Sequence, residues 1–182
     1  MARIPVVTGK ADAPAAAQHA VDQVLEVFGR VRGPFSVLLH SPKLAELLLK
    51  LVPFNRDDTI VEQPLRSIAA LTAAREREAA YVWAAQVDAA RRVGLREAVI
   101  DLVRTKGDPA GLSEDERDIM VYTRQLMRTN RVEQAVFDAL LGRHGAQWLV
   151  ELTAAANFYA FLSGMVNAFE VSAPPDGDPL PA

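Results

Sequence analysis

This sequence predicts an all-α fold of about eight helices, on three observations. Apolar residues recur at three- and four-residue spacing in one segment after another. No segment alternates with a period of two over a useful length, and no Asn-Gly or Asp-Gly turn sits between alternating apolar runs. Half of the 182 residues are apolar, enough for one sizeable core, and no repeat of solenoid length interrupts the pattern.

Residues 1–13 read as a loose, flexible arm. Pro14 is placed to open a helix to about Phe28, with Val21, Val24, Leu25 and Phe28 on one stripe and Gly29 as the stop. A basic turn, Arg30 to Gly33, leads into a short apolar helix over 34–40. Ser41 and Pro42 form an N-cap and first helical position for 43–52, which carries Leu44, Leu47, Leu48 and Leu51, and Pro53 is expected to end it. A polar connection over 54–59 follows. Pro64 begins a helix over 65–75 with Leu65, Ile68, Leu71 and Thr72 inward.

The next helix, over 79–93, has no breaker. Gly94 follows where a left-handed C-cap is wanted, and Arg91 and Arg92 sit in the last turn, favourable to the helix dipole. Helices over 96–104, 114–128, 133–143 and 146–170 complete the set. Ser113 and Glu116 form a capping box for the second of these, Thr129-Asn130-Arg131 separates it from the third, and His144-Gly145 separates the third from the last. Residues 14–171 thus make one domain, and 172–182, with four prolines, a Pro-rich tail.

Composition narrows the function. There is no cysteine, which excludes disulfides, thiolate metal sites and thiol redox chemistry. With 20 basic and 23 acidic residues the net charge is −3, so no basic face argues for nucleic acid. The N-terminal stretch lacks the apolar core of a signal peptide, and the apolar run 158–169 is short for a bilayer, so a cytoplasmic protein without a membrane partner is expected. No residues have metal-ligand spacing, and no cofactor is implied.

On the 79–93 helix one face carries Ala79, Val82, Gln86, Ala89, Ala90 and Val93, with Gln86 its sole polar member. The stretch Tyr81-Val82-Trp83-Ala84-Ala85-Gln86, with Ala-Ala-Arg-Arg-Val-Gly94 behind it, resembles the Tyr-Glu-Trp-x-x-His helix of the carboxymuconolactone decarboxylase family. Pro64-Leu-Arg-Ser-Ile-Ala-Ala-Leu and Asn167-Ala-Phe-Glu-Val171 resemble the stretch before that helix and the closing segment. The resemblance covers roughly residues 30–172. It implies the alkylhydroperoxidase D-like helical bundle, a lyase if the protein is active, and a trimer or hexamer. Val82 stands in place of the family's carboxylate, Gln86 of its imidazole and Ser67 of its glutamate.

Peroxide reduction by a thiol pair is therefore closed to this chain. Decarboxylation needs an anion site, stabilisation of a dienolate and a proton donor to carbon. Gln86 can donate two hydrogen bonds to an oxyanion but cannot act as a general acid. Two roles are open to His40: a helix-end histidine bonding a carbonyl, or the missing proton donor. Gln86, His40 and Ser67 are the catalytic candidates, although Ser67 has no base within its own helix. Tyr81, Val82 and Trp83 are candidate pocket walls, Tyr81 and Trp83 also being readable as core anchors. Arg66 and Arg75 are candidate carboxylate clamps, or solvated charges. Glu76 or Glu78 would be a substitute carboxylate at a different height. The Gln86 amide is expected to face a cavity next to Trp83.

Two functions follow as expectations. One is a decarboxylase-like protein that binds or converts a small carboxylated lactone or aromatic-derived acid. The other is a non-catalytic relative in which the site has closed and only fold and self-association remain. A cavity lined by Trp83, Gln86 and His40 would favour the first, a filled core the second.

Overall fold

The structure, a computed structural model, describes residues 2–181. Among them there are eight α-helices of five residues or more and no strand: α1 (Gln18–Phe28), α2 (Pro34–Leu38), α3 (Pro42–Leu49), α4 (Gln63–Glu76), α5 (Ala80–Arg92), α6 (Glu97–Arg104), α7 (Glu114–Thr129) and α8 (Gln134–Ala168).

The bundle is built round α4, which packs against α5, α6, α7 and α8. Every residue from Arg66 to Arg75 is buried. A helix enclosed on all sides needs small residues where its neighbours approach, and Ala69, Ala70, Ala73 and Ala74 supply them. Two arginines are enclosed in that run as well, which the amphipathic reading of 65–75 does not anticipate.

Local signals place most ends. Ser113 and Glu116 cap α7 reciprocally, the Ser113 N–H donating to Glu116 Oε2 at 3.1 Å. Asn130 ends it in the left-handed region at φ 54°. Gly145, at φ 84° and ψ 170°, breaks α8 where the His144-Gly145 turn is expected. By length and composition α8 could cross a bilayer, yet Leu140, Trp148, Leu149, Leu152, Ala156, Leu162 and Val166 are all core residues. Pro53 does not stop the chain. The backbone runs on through Leu51–Pro53 into a π-helical turn, Phe54–Asp58, where Thr59 N–H reaches the Phe54 carbonyl at 3.0 Å and Asn55 Nδ2 donates to the Leu51 carbonyl. Ser41 precedes α3 without a side-chain cap bond.

The two ends of the chain are tied down. In the N-terminal arm, expected to be flexible, Val7 is buried and its N–H donates to the Ser36 carbonyl at 2.8 Å. Arg3 pairs with Glu170, and its own N–H bonds the Phe169 carbonyl. At the other end, the Asp178 carboxylate accepts from Trp83 Nε1 (3.1 Å), Arg104 Nη2 (2.9 Å) and Arg91 Nη2 (3.0 Å), which fastens the Pro-rich tail across α5 and α6. Three donors converging on one largely buried carboxylate hold the tail against the backbone freedom it loses.

Candidate functional site

Where α4 and α5 face each other, Ala70, Ala85 and Ala89 are too small to fill the gap. The space they leave is a cavity of about 430 Å³. Arg66 and Ser67 line it from α4, Gln86 from α5, and Phe158 and Tyr159 from α8. The π-helical turn closes one side with Asn55, Arg56 and Asp57.

Arg66 dominates this cavity. The residue is 7% exposed, yet among the described residues its guanidinium donates to no carbonyl, carboxylate or hydroxyl, and Nη1 is wholly enclosed without a partner. A buried charged donor left unmatched is costly in a folded protein. Burial pulls the guanidinium below its ordinary value, with Tyr159 and then Asp57 acting in the opposite sense. The Tyr159 phenol is pushed up by burial, against the pull of Arg66, so it is a neutral O–H donor at physiological pH. Asp57 is held by Arg56 Nε at 2.8 Å. Ser67 Oγ donates to the Gln63 carbonyl at 2.9 Å, the back-bond of a helical serine, and no base adjoins it.

A second cavity, of about 170 Å³, adjoins the first, and Phe28, Ala85 and Gln86 line both. Its remaining walls are chiefly apolar, with Phe35, Val82 and Leu162, and with Tyr81 beside the exposed Arg30 and Arg32. Burial raises the Tyr81 phenol, while Arg32 and Arg30 pull it back. Gln86 is half-buried between the two cavities, and its side chain makes no hydrogen bond with any described residue. The four-residue spacing of Val82 and Gln86 does put both on one face, toward open space.

Of the sequence candidates, Arg66, Ser67 and Gln86 are thus brought together in the larger cavity and Tyr81, Val82 and Gln86 in the smaller. Three others go elsewhere. His40 is exposed, and its Nε2 lies 2.7 Å from the Pro5 carbonyl: it pins the N-terminal arm and lines neither cavity. Trp83 is fully enclosed and lines neither cavity: it sits one residue and about 100° round from Val82, with Arg104 5.6 Å over its ring and Asp178 on its N–H. The cavity at Gln86 therefore does not adjoin Trp83. Arg75 is buried with Nε donating to the Arg104 carbonyl at 2.7 Å, where it satisfies the C-terminal end of α6 rather than clamping a ligand. Glu76 is bound bidentately by Arg128, and Glu78 is exposed in the left-handed region, so neither replaces a carboxylate at the site. Among the described residues no three His, Asp or Glu side chains gather as a metal site would need.

The sequence reading misses several site residues, among them Phe28, Asn55, Phe158 and Tyr159. Phe28 reads as the end of an apolar stripe, and Tyr159 sits within an apolar run whose helical phase is not fixed by its sequence.

No family model and no curated protein matches the sequence. Solved structures do. An alkylhydroperoxidase AhpD core protein, uncharacterized and peroxidase-related, from Ralstonia eutropha JMP134 superposes with a TM-score of 0.78 over 96% of this chain and 93% of its own, at 17% identity. The chain has the AhpD-like fold. The debrominase Bmp8, solved with 2,3,4-tribromopyrrole, is similar over 96% of this chain and 95% of its own, with a TM-score of 0.75 and 15% identity. An uncharacterized peroxidase-related protein from Silicibacter sp. TM1040 gives 0.71 at 13% identity, over 91% and 88%. The AhpD-like bundle is here realised without a single cysteine.

Proposed function

We propose that this protein binds, and in its active form converts, a small carboxylated lactone or aromatic-derived acid in the cavity between α4 and α5. The observation that carries this reading is Arg66: a buried guanidinium without an acceptor among the described residues, lining an open cavity. A carboxylate meeting Nε and Nη2, the guanidinium nitrogens that are not enclosed, would give this charge an acceptor, bidentately if it lies edge-on. Gln86 and Tyr159 line the same space and offer uncharged donors to a second oxygen, including one that gains charge during loss of CO2. Arg56, Arg66 and Arg92 against Asp57 make the lining net cationic. No histidine lines it, so protonation at carbon in a turnover would fall to Tyr159 or to water.

The second reading is a non-catalytic relative of decarboxylase-like proteins that keeps fold and assembly. It is favoured by Ser67, Val82 and Gln86 together, three non-acidic residues where the family resemblance places ionisable groups. Open space at Gln86 and the unmatched Arg66 weigh on the side of a ligand.

We also propose that copies of the chain associate. Leu44, Leu47 and Leu51 stay exposed along α3 and the residues after it, next to the exposed Leu25 and Phe28 of α1.

The test of ligand binding is calorimetry with benzoate, small lactone carboxylates and their uncharged amides. Binding of the acids and not the amides, lost in Arg66→Gln, is the expected result. Acids that bind equally well to Arg66→Gln would remove the reading.

A further inference from the structure

We propose that the ligand is an amphipathic monocarboxylate, its head on Arg66 and its apolar body passing Gln86 into the chamber lined by Phe28, Phe35, Val82 and Leu162. This rests on the carboxylate-binding reading above and adds what lies beyond the head group. Three features of the site carry it.

The two cavities are neighbours, since Phe28, Ala85 and Gln86 line both. They differ in chemistry. The larger holds Arg66, a buried cation that lacks an acceptor among the described residues, with Tyr159 and Asn55 around it. The smaller is walled by two phenylalanines, a valine and a leucine, and its two arginines are exposed to water, which satisfies their donors without a ligand. A carboxylate therefore gains more at Arg66 than at Arg30 or Arg32, and the polarity of the site fixes which way round the ligand enters. Finally, the residue at the junction is an amide without a protein partner. Gln86 can turn toward a carbonyl or ring oxygen of a passing ligand without breaking an existing hydrogen bond, whereas a leucine there would be indifferent to it and a charge would have to be desolvated.

The experiment is titration calorimetry of the full chain with acetate, butanoate, hexanoate, octanoate and octan-1-ol. Once the chain passes Gln86, Kd is expected to fall about fourfold for each methylene that enters the apolar chamber. Octan-1-ol is expected to bind far more weakly than octanoate, Arg66→Gln to lose the acids, and Val82→Phe, which fills the chamber, to flatten the dependence on chain length. The wild-type series decides by itself should Val82→Phe fail to fold. Binding that needs Arg66 but is independent of chain length overturns the proposal and leaves the carboxylate reading intact. Octan-1-ol as tight as octanoate overturns it too, because the head group would then be idle. If no acid binds at all, both fall.

Discussion

At the scale of single residues, Arg66 and Asp178 are opposites. Asp178 is a charge with three partners, Arg66 a charge with none among the described residues. Replacing Arg66 with methionine keeps the aliphatic volume and removes the unmatched cation. Arg66→Met is therefore expected to stabilise the free protein by about 1–3 kcal/mol, a rise of roughly 2–10 °C in Tm, while abolishing acid binding. Calorimetric unfolding checks this, and a clear loss of stability would mean that the guanidinium is satisfied in solution. For Asp178 the expected sign is reversed. Burial pushes its carboxyl up, but the hydrogen bonds from Trp83 and Arg104 and the charge of Arg104 outweigh it, so the folded pKa lies below the ordinary 3.8. The depressed value means the anchor is at full strength above the unfolded pKa and is lost as pH falls through the folded one. Asp178→Asn should cost about 2 kcal/mol near neutral pH, and the gap from wild type should close below about pH 4. Urea unfolding across that range tests it; a gap that widened in acid would contradict the assignment.

Among the elements, two glycines separate the cost of backbone strain from the cost of space. Gly145 breaks α8 at φ 84°, and a Cβ there would meet nothing within 4 Å. Gly33, at φ 60° ahead of α2, has the Tyr81 ring where its Cβ would stand. Gly145→Ala is expected to cost about 1–3 kcal/mol through its dihedrals alone. Gly33→Ala should cost more, because the phenol must also move, and should disturb the smaller cavity; equal losses from thermal melts would show that the ring yields freely. These positions also mark what was legible in the sequence. Gly94, Asn130, Ser113 and Gly145 announce helix ends through local chemistry, so the all-α fold and its eight helices could be read. The shared face of Val82 and Gln86 followed from four-residue spacing. Trp83, three residues before Gln86, reads as a pocket wall, but Asp178 and Arg104 hold its indole away from the cavities. The partners of Trp83 and His40 lie 95 and 35 residues away in sequence, and no periodicity encodes such pairings. The burial of Arg66 comes from enclosure of α4 by four other helices, which its own sequence does not state.

For the whole molecule, the exposed leucines of α3 set the expectation of self-association. A trimer or a dimer of trimers is expected by light scattering at micromolar concentration, and Leu47→Lys, at a position 55% exposed, should shift the mass downward without lowering the Tm of the isolated chain. A wild-type monomer would refute it. The seated tail has a further consequence, an optical one. The chain contains two tryptophans, and the indole of each gives its N–H to a carboxylate: Trp148 to Glu62, within the bundle, and Trp83 to Asp178, on the tail. Lifting the tail would expose one indole and leave the other in place, so the difference between the two emission spectra reports, without any label, whether the segment around Asp178 is docked.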